Sequence, residues 1–301
     1  MAWTVHTLDL GEVELNTRRL IPNESGIDTL RLPVQGWLLT QGEHKVVVDT
    51  GFRHPDILRR IGDRAVGIEA PHQRLLAQLA RHGVTPEDVH HVLHTHLHID
   101  HAGQTDLFPM TTAVVVNRRE LEYAVSGLSG PSYPPEDIKH LIDRLHTRGA
   151  LWLLDLEGTG GENILPGLRC LPAGGHTEGS MIVVAETEQG TVCFCGDLVY
   201  SVRHQLLSPT MTLNDVGLTS NYVVARRSEK AAVKRLMHVA PKFFLYPSHD
   251  WPVTVENGRV IEGAEKTLRA TMGRCWCQLT EGGHADEEAA LLNPPTQGSH
   301  T

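Results

Sequence analysis

A chain of 301 residues with 40% hydrophobic content can bury a real core, as one large domain or two small ones, and one is expected. Its 36 acidic against 27 basic residues, a net charge of −9, argue against a nucleic-acid-binding surface, which needs clustered Lys and Arg for phosphate contacts, and so against a nuclease. Five cysteines, two C-x-C pairs plus Cys170, do not make a disulfide framework, no apolar run approaches membrane-spanning length, and residues 1–10 lack the features of a signal peptide, so a cytoplasmic location away from membranes is expected.

In chain order, residues 1–10 alternate apolar and polar like a strand, and short apolar runs follow at 37–39 and 45–48. Residues 72–82 read as a helix with Leu75, Leu76, Leu79 and Ala80 on one face and Gly83 in the place of a C-terminal glycine cap. Strands are expected at 91–94 and 113–116, after which Asn117 and Glu120 form an N-capping pattern for a helix over 118–124. The glycine- and proline-rich stretch 126–134 is a loop, and Pro135 opens a helix with Ile138, Leu141, Ile142 and Leu145 inward. Further strands are expected at 168–171, 181–185, 191–194 and 243–245, with Cys193 and Cys195 on one face as small apolar side chains. Ser228 caps a helix ending near His238. His82, His90, His91 and His140 fall at helix ends or loop edges and need no function. Cys275 and Cys277 read as packed or partly exposed rather than as ligands. The domain is expected to cover 1–280, and 281–301, rich in small and polar residues, to be a mobile tail.

The densest chemistry lies just past the strand at 91–94. His96, His98, Asp100 and His101 fall within six consecutive positions, so a tight loop can aim the first pair at one ion and the second pair at its neighbour. Imidazole nitrogen with carboxylate oxygen suits zinc or a similar divalent ion. The competing reading, an exposed histidine-rich loop, is disfavoured by the apolar run at 89–93, which reads as a buried strand delivering the loop to a site.

The pattern H-x-H-x-D-H followed by Ala102-Gly103 resembles the metallo-β-lactamase superfamily, and the remaining motifs of that family follow in order. Gly174-Gly175-His176-Thr177-Glu178-Gly179-Ser180 is similar to the loop of the third histidine ligand, Cys195-Gly196-Asp197 to the strand end with the bridging aspartate, and Pro247-Ser248-His249-Asp250 to the final histidine loop. Upstream, residues 46–51 resemble the early strand and turn whose aspartate, here Asp49, braces the metal loops from behind. The resemblance spans residues 34 to about 250 and implies an α/β fold, the αββα sandwich.

Carried over by position, the resemblance implies two Zn2+ ions, or other divalent metals, per subunit. His96, His98 and His176 would hold one, Asp100, His101 and His249 the other, and Asp197 would bridge them. Within the family, Tyr200, three residues after that aspartate, resembles the tyrosine of the quorum-quenching N-acyl homoserine lactonases. The expected activity is opening of a lactone ring by a hydroxide shared between the metals, with the Tyr200 hydroxyl holding the oxyanion and Asp100 passing a proton to the leaving oxygen. For Tyr200 the alternative is a packed aromatic at a strand exit. Glu178 departs from the proline many relatives carry there. Other hydrolases of the fold, a glyoxalase II-type thioesterase, an arylesterase or a phosphotriesterase, remain rivals. For the thioesterase, the basic residues Arg259, Lys266, Arg269 and Arg274 are few. A non-catalytic ligand sensor is disfavoured because all seven ligand positions are filled. The expected partner is a small lactone or ester, with a homodimer left open.

Overall fold

Along the strand Gly190–Gly196, Val192 and Phe194 alternate with Cys193 and Cys195, and all four are buried. A strand covered on both faces belongs inside a layered stack. The computed structural model, which describes residues 2–16, 29–61, 65–127, 130–207 and 226–263, has that stack. Its first sheet contains β1 (Thr4–Asn16), β2 (Thr29–Gln41), β3 (His44–Val48), β4 (Ala65–Ile68), β5 (His91–Leu93), β6 (Ala113–Asn117) and β7 (Leu151–Leu154), in the order β4-β1-β2-β3-β5-β6-β7. The second contains β8 (Glu162–Leu165), β9 (Leu168–Pro172), β10 (Met181–Thr187), β11 (Gly190–Gly196), β12 (Lys242–Pro247), β13 (Val253–Glu256) and β14 (Arg259–Glu262), in the order β14-β13-β12-β11-β10-β9-β8. Helices α1 (Leu75–Ala80), α2 (Arg118–Ala124), α3 (Pro135–Arg144), α4 (Leu156–Thr159) and α5 (Arg226–Leu236) complete the elements that concern the site.

Three buried clusters separate four layers. Between the sheets, Trp37, Val46, Val48, Leu93 and Val115 of the first meet Cys170, Met181, Val183, Val192 and Phe194 of the second. The Trp37 and Phe194 rings touch across this gap with centroids 4.8 Å apart. The other face of the first sheet, with Leu38, Val47, Val92 and Val114, packs on Leu75, Leu79, Leu121, Ile138 and Leu141 of α1, α2 and α3. The other face of the second sheet, with Val184, Cys193, Cys195 and Leu245, packs on Ala232, Val233 and Leu236 of α5. This is the αββα sandwich, and the two cysteines lie on one face as expected. Among the described residues no helix is long and apolar enough to cross a membrane.

Several elements differ from the sequence expectation, for identifiable reasons. The first strand runs on to Asn16 through a bulge between Asp9 and Glu12. The helix expected at 72–82 is only Leu75–Ala80. Leu76 and Ala80 face solvent, and Gln78 is buried instead because its Nε2 donates to the His72 carbonyl while its Oε1 accepts from Asp9 N. In α3, Ile142 and Leu145 are exposed, and the inward stripe is Asp137, Ile138, Leu141 and Arg144. The two charged residues turn inward because each finds partners: Asp137 pairs with Arg53 at 2.8 Å, and Arg144 donates to the carbonyls of Phe108, Pro109, Thr112 and Ala150. His140 lies inside α3 rather than at an element end, whereas His91 opens β5. Asn117 makes no side-chain cap; its Nδ2 donates to the Gly179 carbonyl and to Glu157. Ser228 is the third residue of α5, not its cap. Edge strands β4, β7, β8 and β14, together with β13 and α4, are additions. Cys275, Cys277, Lys266, Arg269, Arg274 and the expected tail fall outside the described residues.

The strands β3, β5, β6 and β7 run parallel, as do β11 and β12, so the loops leaving β3, β5, β11 and β12 can meet at one end of the sandwich. Close approach there depends on Gly103, whose amide donates to the Gly51 carbonyl; a Cβ at this position would stand 2.1 Å from Arg53 N and 2.6 Å from the Phe52 carbonyl carbon. Both neighbours are backbone and cannot swing aside. Gly103→Ala should therefore destabilise the fold by about 3 kcal/mol, the upper end of overpacking costs, measured by urea unfolding. An unchanged midpoint would mean that the two loops separate freely.

Candidate metal centre

Each candidate ligand follows the end of a buried strand. The chain leaves β3 at Asp49, which holds a left-handed backbone (φ 57°) and is fully buried. Its Oδ1 accepts from Thr95 N at 2.8 Å, its Oδ2 accepts from Thr95 Oγ1 at 2.7 Å, and Oδ2 lies 3.0 Å from His101 Nδ1. One carboxylate thus holds both ends of the loop from 95 to 101. Thr95 Oγ1 also sits 3.1 Å from His96 Nδ1. Burial alone would raise the Asp49 carboxyl, but the neighbouring histidines outweigh it and hold the group well below the usual carboxylate range.

The other loops are tied to this one. Met181 N donates to the Thr95 carbonyl, joining the start of β10 to the first sheet. Ser248 N donates to the Gly196 carbonyl and Gln35 N to the Ser248 carbonyl. His249 is fixed through Nδ1, 2.7 Å from the Pro33 carbonyl, and Gln35 Nε2 donates to the Asp250 carbonyl. Both sheets therefore contribute, and the ligand histidines approach one another from different directions.

Asp197 lies between two groups. Its Oδ2 is 3.6 Å from His96 Nε2 and 3.4 Å from His176 Nε2, and His98 Nδ1 is 2.9 Å from His176 Nε2. Its Oδ1 is 3.0 Å from His101 Nε2 and 3.2 Å from His249 Nε2, with Asp100 3.4 Å from His249 and 3.7 Å from His101. Ligands ~2.0–2.1 Å from a tetrahedral ion stand about 3.3–3.4 Å apart, so these separations are those of two coordination shells sharing one carboxylate. The donor atoms fit as well. His96 Nε2, His101 Nε2, His249 Nε2 and both Asp197 oxygens are buried and have no aligned hydrogen-bond partner. Leaving so many polar atoms unsatisfied would be costly in a dry site, and a pair of cations satisfies them together. His96, His98, His176 and Asp197 form one group able to hold an ion and Asp100, His101 and His249 a second, which fits a dinuclear metal site.

The protonation pattern follows the same division. Burial, reinforced by the neighbouring imidazoles, pushes His98 down to about 3 and His176 well below its usual value. Burial opposes the charged form of His101 and His249 too, but the carboxylates of Asp197 and Asp100 outweigh it, raising His101 well above its usual value and His249 to about 10. The Asp197 carboxyl, surrounded by imidazoles, lies well below the usual range in spite of its burial.

Tyr200 is half-buried and its ring stacks on His249, with centroids 4.5 Å apart and planes 26° apart. It is 5.9 Å from the His176 ring. Burial and the neighbouring Asp197 and Asp100 raise its phenol well above the usual value, so the hydroxyl remains a proton donor. Gln205 holds the backbone here, its Oε1 accepting from Tyr200 N and Ser201 N and its Nε2 donating to the Leu198 carbonyl. Asp250 Oδ2 accepts from Val202 N, linking the tyrosine loop to the His249 loop. The structure thus brings together all nine residues singled out in the sequence. Missed were Gln35 and Gln205, which act through backbone groups and left no pattern, and Glu120, read as a capping residue although it shares a helix face with Tyr123 and Ala124; Asp250 was quoted within the final histidine motif but given no role of its own.

Two sheets between helical layers, with seven ligand-type side chains gathered where strands end, fit a protein built to hold a pair of metal ions. The chain belongs to the metallo-beta-lactamase superfamily, whose model matches residues 30–249. An N-acyl homoserine lactonase of Bacillus cereus is 30% identical over 181 residues, 57% of this chain and 66% of the relative, just under two thirds of its length. The N-acyl homoserine lactonase AiiB of Agrobacterium fabrum is 25% identical over 199 residues, 60% of this chain and 71% of the relative. Among solved structures, an N-acyl homoserine lactone hydrolase with N-hexanoyl-L-homoserine at its catalytic metal centre aligns with a TM-score of 0.62 at 24% identity, covering 79% of this chain and 89% of its own. The dizinc quorum-quenching lactonase AidC aligns with a TM-score of 0.62 at 16% identity, covering 87% and 94%. At these identities the structural likenesses speak for the fold.

A bridging carboxylate gives charge to both ions, whereas an amide has one weaker oxygen donor. Asp197→Asn should therefore lower the content of both ions, measured by elemental analysis of protein purified without chelator. Loss of one ion with the other retained would place Asp197 outside the bridge.

Proposed function

We propose that this chain is a metal-dependent hydrolase that opens lactone rings, N-acyl homoserine lactones first among them, with zinc as its metal. The observation that carries the reading is Tyr200. It stands on the ring of His249 with a phenol kept protonated beside Asp197, at the position that resembles the lactonase tyrosine. The N-acyl homoserine lactonases among the curated relatives support the same substrate class.

Two bound zinc ions would supply Lewis acidity, polarising the lactone carbonyl and making water ionisable near neutral pH. The protein's own share is orientation and proton handling. His96, His98, His176, Asp100, His101, His249 and Asp197 would hold the ions, and Asp49 keeps the loop from 95 to 101 from shifting under them. The Tyr200 hydroxyl donates a hydrogen bond to the carbonyl oxygen as it gains negative charge. Asp100 holds the proton given up by the attacking water and returns it to the ring oxygen. A C–O bond forms from water to the carbonyl carbon, the ring C–O bond breaks, and the product is a hydroxy acid that releases one proton at neutral pH.

Zinc-loaded protein should therefore release one proton per lactone opened and should prefer N-acyl homoserine lactones to a glutathione thioester or a phosphotriester, followed by pH-stat assay of each. A clear preference for the thioester would move the chain to the glyoxalase II-like class. Tyr200→Phe keeps the ring and removes the donor. Losing a principal oxyanion donor costs on the order of 10²-fold to 10³-fold in kcat, and because a metal shares the load the expected loss is at or below about 10²-fold, with metal content unchanged. Parental rates on every lactone would make Tyr200 a packing residue.

A further inference from the structure

Glu120 is 1% exposed in the first turn of α2 and lies behind the metal ligands. Its Oε1 accepts from Leu97 N at 2.9 Å, between His96 and His98. The same oxygen accepts from Tyr133 Oη at 3.0 Å, and the Tyr133 ring stands edge-on to His98 with centroids 4.8 Å apart. Its Oε2 accepts from Thr177 Oγ1 at 2.6 Å, one residue after His176. Thr177 Oγ1 is in turn 2.6 Å from Ser180 Oγ, which accepts from Thr177 N. Gly179 lies directly against the helix start, where a Cβ would stand 2.1 Å from Glu120 N. Every partner of the carboxylate is a donor, so both of its oxygens act as acceptors. Three segments far apart in the chain are thus held by one side chain.

What they share is one half of the metal centre. Leu97 and Tyr133 set His98, and Thr177 sets His176, both in the group with His96 and Asp197. The other half is supported from elsewhere: His101 by Asp49, and His249 by the Pro33 carbonyl. We propose that Glu120 is a positioning residue for one ion of the pair, fixing His98 and His176 from behind so that it sets the affinity of the His96, His98, His176 and Asp197 site but not that of the Asp100, His101 and His249 site. This rests on the dinuclear reading above. Groups that orient metal ligands in this way are typically worth about 10-fold to 100-fold in metal affinity.

The test is a titration of Zn2+ into the chelator-stripped full chain against a chromophoric competitor, which resolves the two uptake steps, with His176→Ala and His249→Ala identifying which step belongs to which group. Glu120→Gln keeps the volume but removes the charge and one acceptor oxygen. The expected result is a weakening of about 10-fold to 100-fold in the His176 step with the His249 step unchanged. A residue that merely supports the fold would weaken both steps together, and that result, or no change in either, overturns the proposal. If Glu120→Gln does not fold, Tyr133→Phe and Thr177→Val each remove one donor and are read by the same criterion: a smaller weakening confined to the His176 step supports the proposal, and equal effects or none overturn it. A wild-type chain that takes up one ion or none overturns the dinuclear reading itself, a result independent of any Glu120 variant.

Discussion

A carboxylate buried with both oxygens lacking aligned donors is among the costliest groups a protein interior can hold, and Asp197 is such a group. The end of the sandwich is organised around compensating it. Four imidazoles stand within 3.6 Å of its oxygens, two on each side, carried by loops from three separate parts of the chain. None of those loops could hold its histidine there alone, because a short connection between strands has few contacts of its own. They are held by one another: Asp49 under Thr95 and His101, Thr95 to the start of β10, Gly196 to Ser248, and β2 to the His249 loop. The arrangement belongs to both sheets and exists only when they are packed.

The candidate ligands were legible in the sequence because the chemistry that would demand them demands them locally. H-x-H-x-D-H, a histidine in a glycine-rich loop and an aspartate after an apolar strand are patterns within a few residues of the chain. The inner strands could also be read, since alternation in Val192 to Cys195 and the apolar runs of β10 and β12 state their burial directly. The groups that hold the ligands in place were not legible to the same degree. Asn117 and Glu120 have the spacing of a capping pair, and nothing in residues 117–124 says that Glu120 will meet Leu97, Tyr133 and Thr177 instead. The information lies in what packs on the other side of the helix.

The same limit explains the helix faces. In α3 an apolar stripe was expected to run through Ile142 and Leu145, but the helix turns Asp137 and Arg144 inward and leaves those two outside. Sequence hydrophobicity treats a charge as solvent-facing. It cannot register that Arg53 waits for Asp137 or that four carbonyls of the turn at 108–112 and of Ala150 converge on Arg144. Gln78 in α1 is the neutral version of the same effect.

Because β11 separates two different cores and runs straight into Asp197, its length is bound to the position of the ligand. Removing or adding one residue would carry Phe194 to the helix side, bring a cysteine between the sheets, and displace the aspartate by roughly 3.3 Å along the strand. That is farther than an ion held at ~2.0–2.2 Å could follow without losing a ligand. Divergence in a chain of this design is therefore channelled: insertions and deletions can accumulate where loops face solvent, while the inner strands can change their residues but not their count.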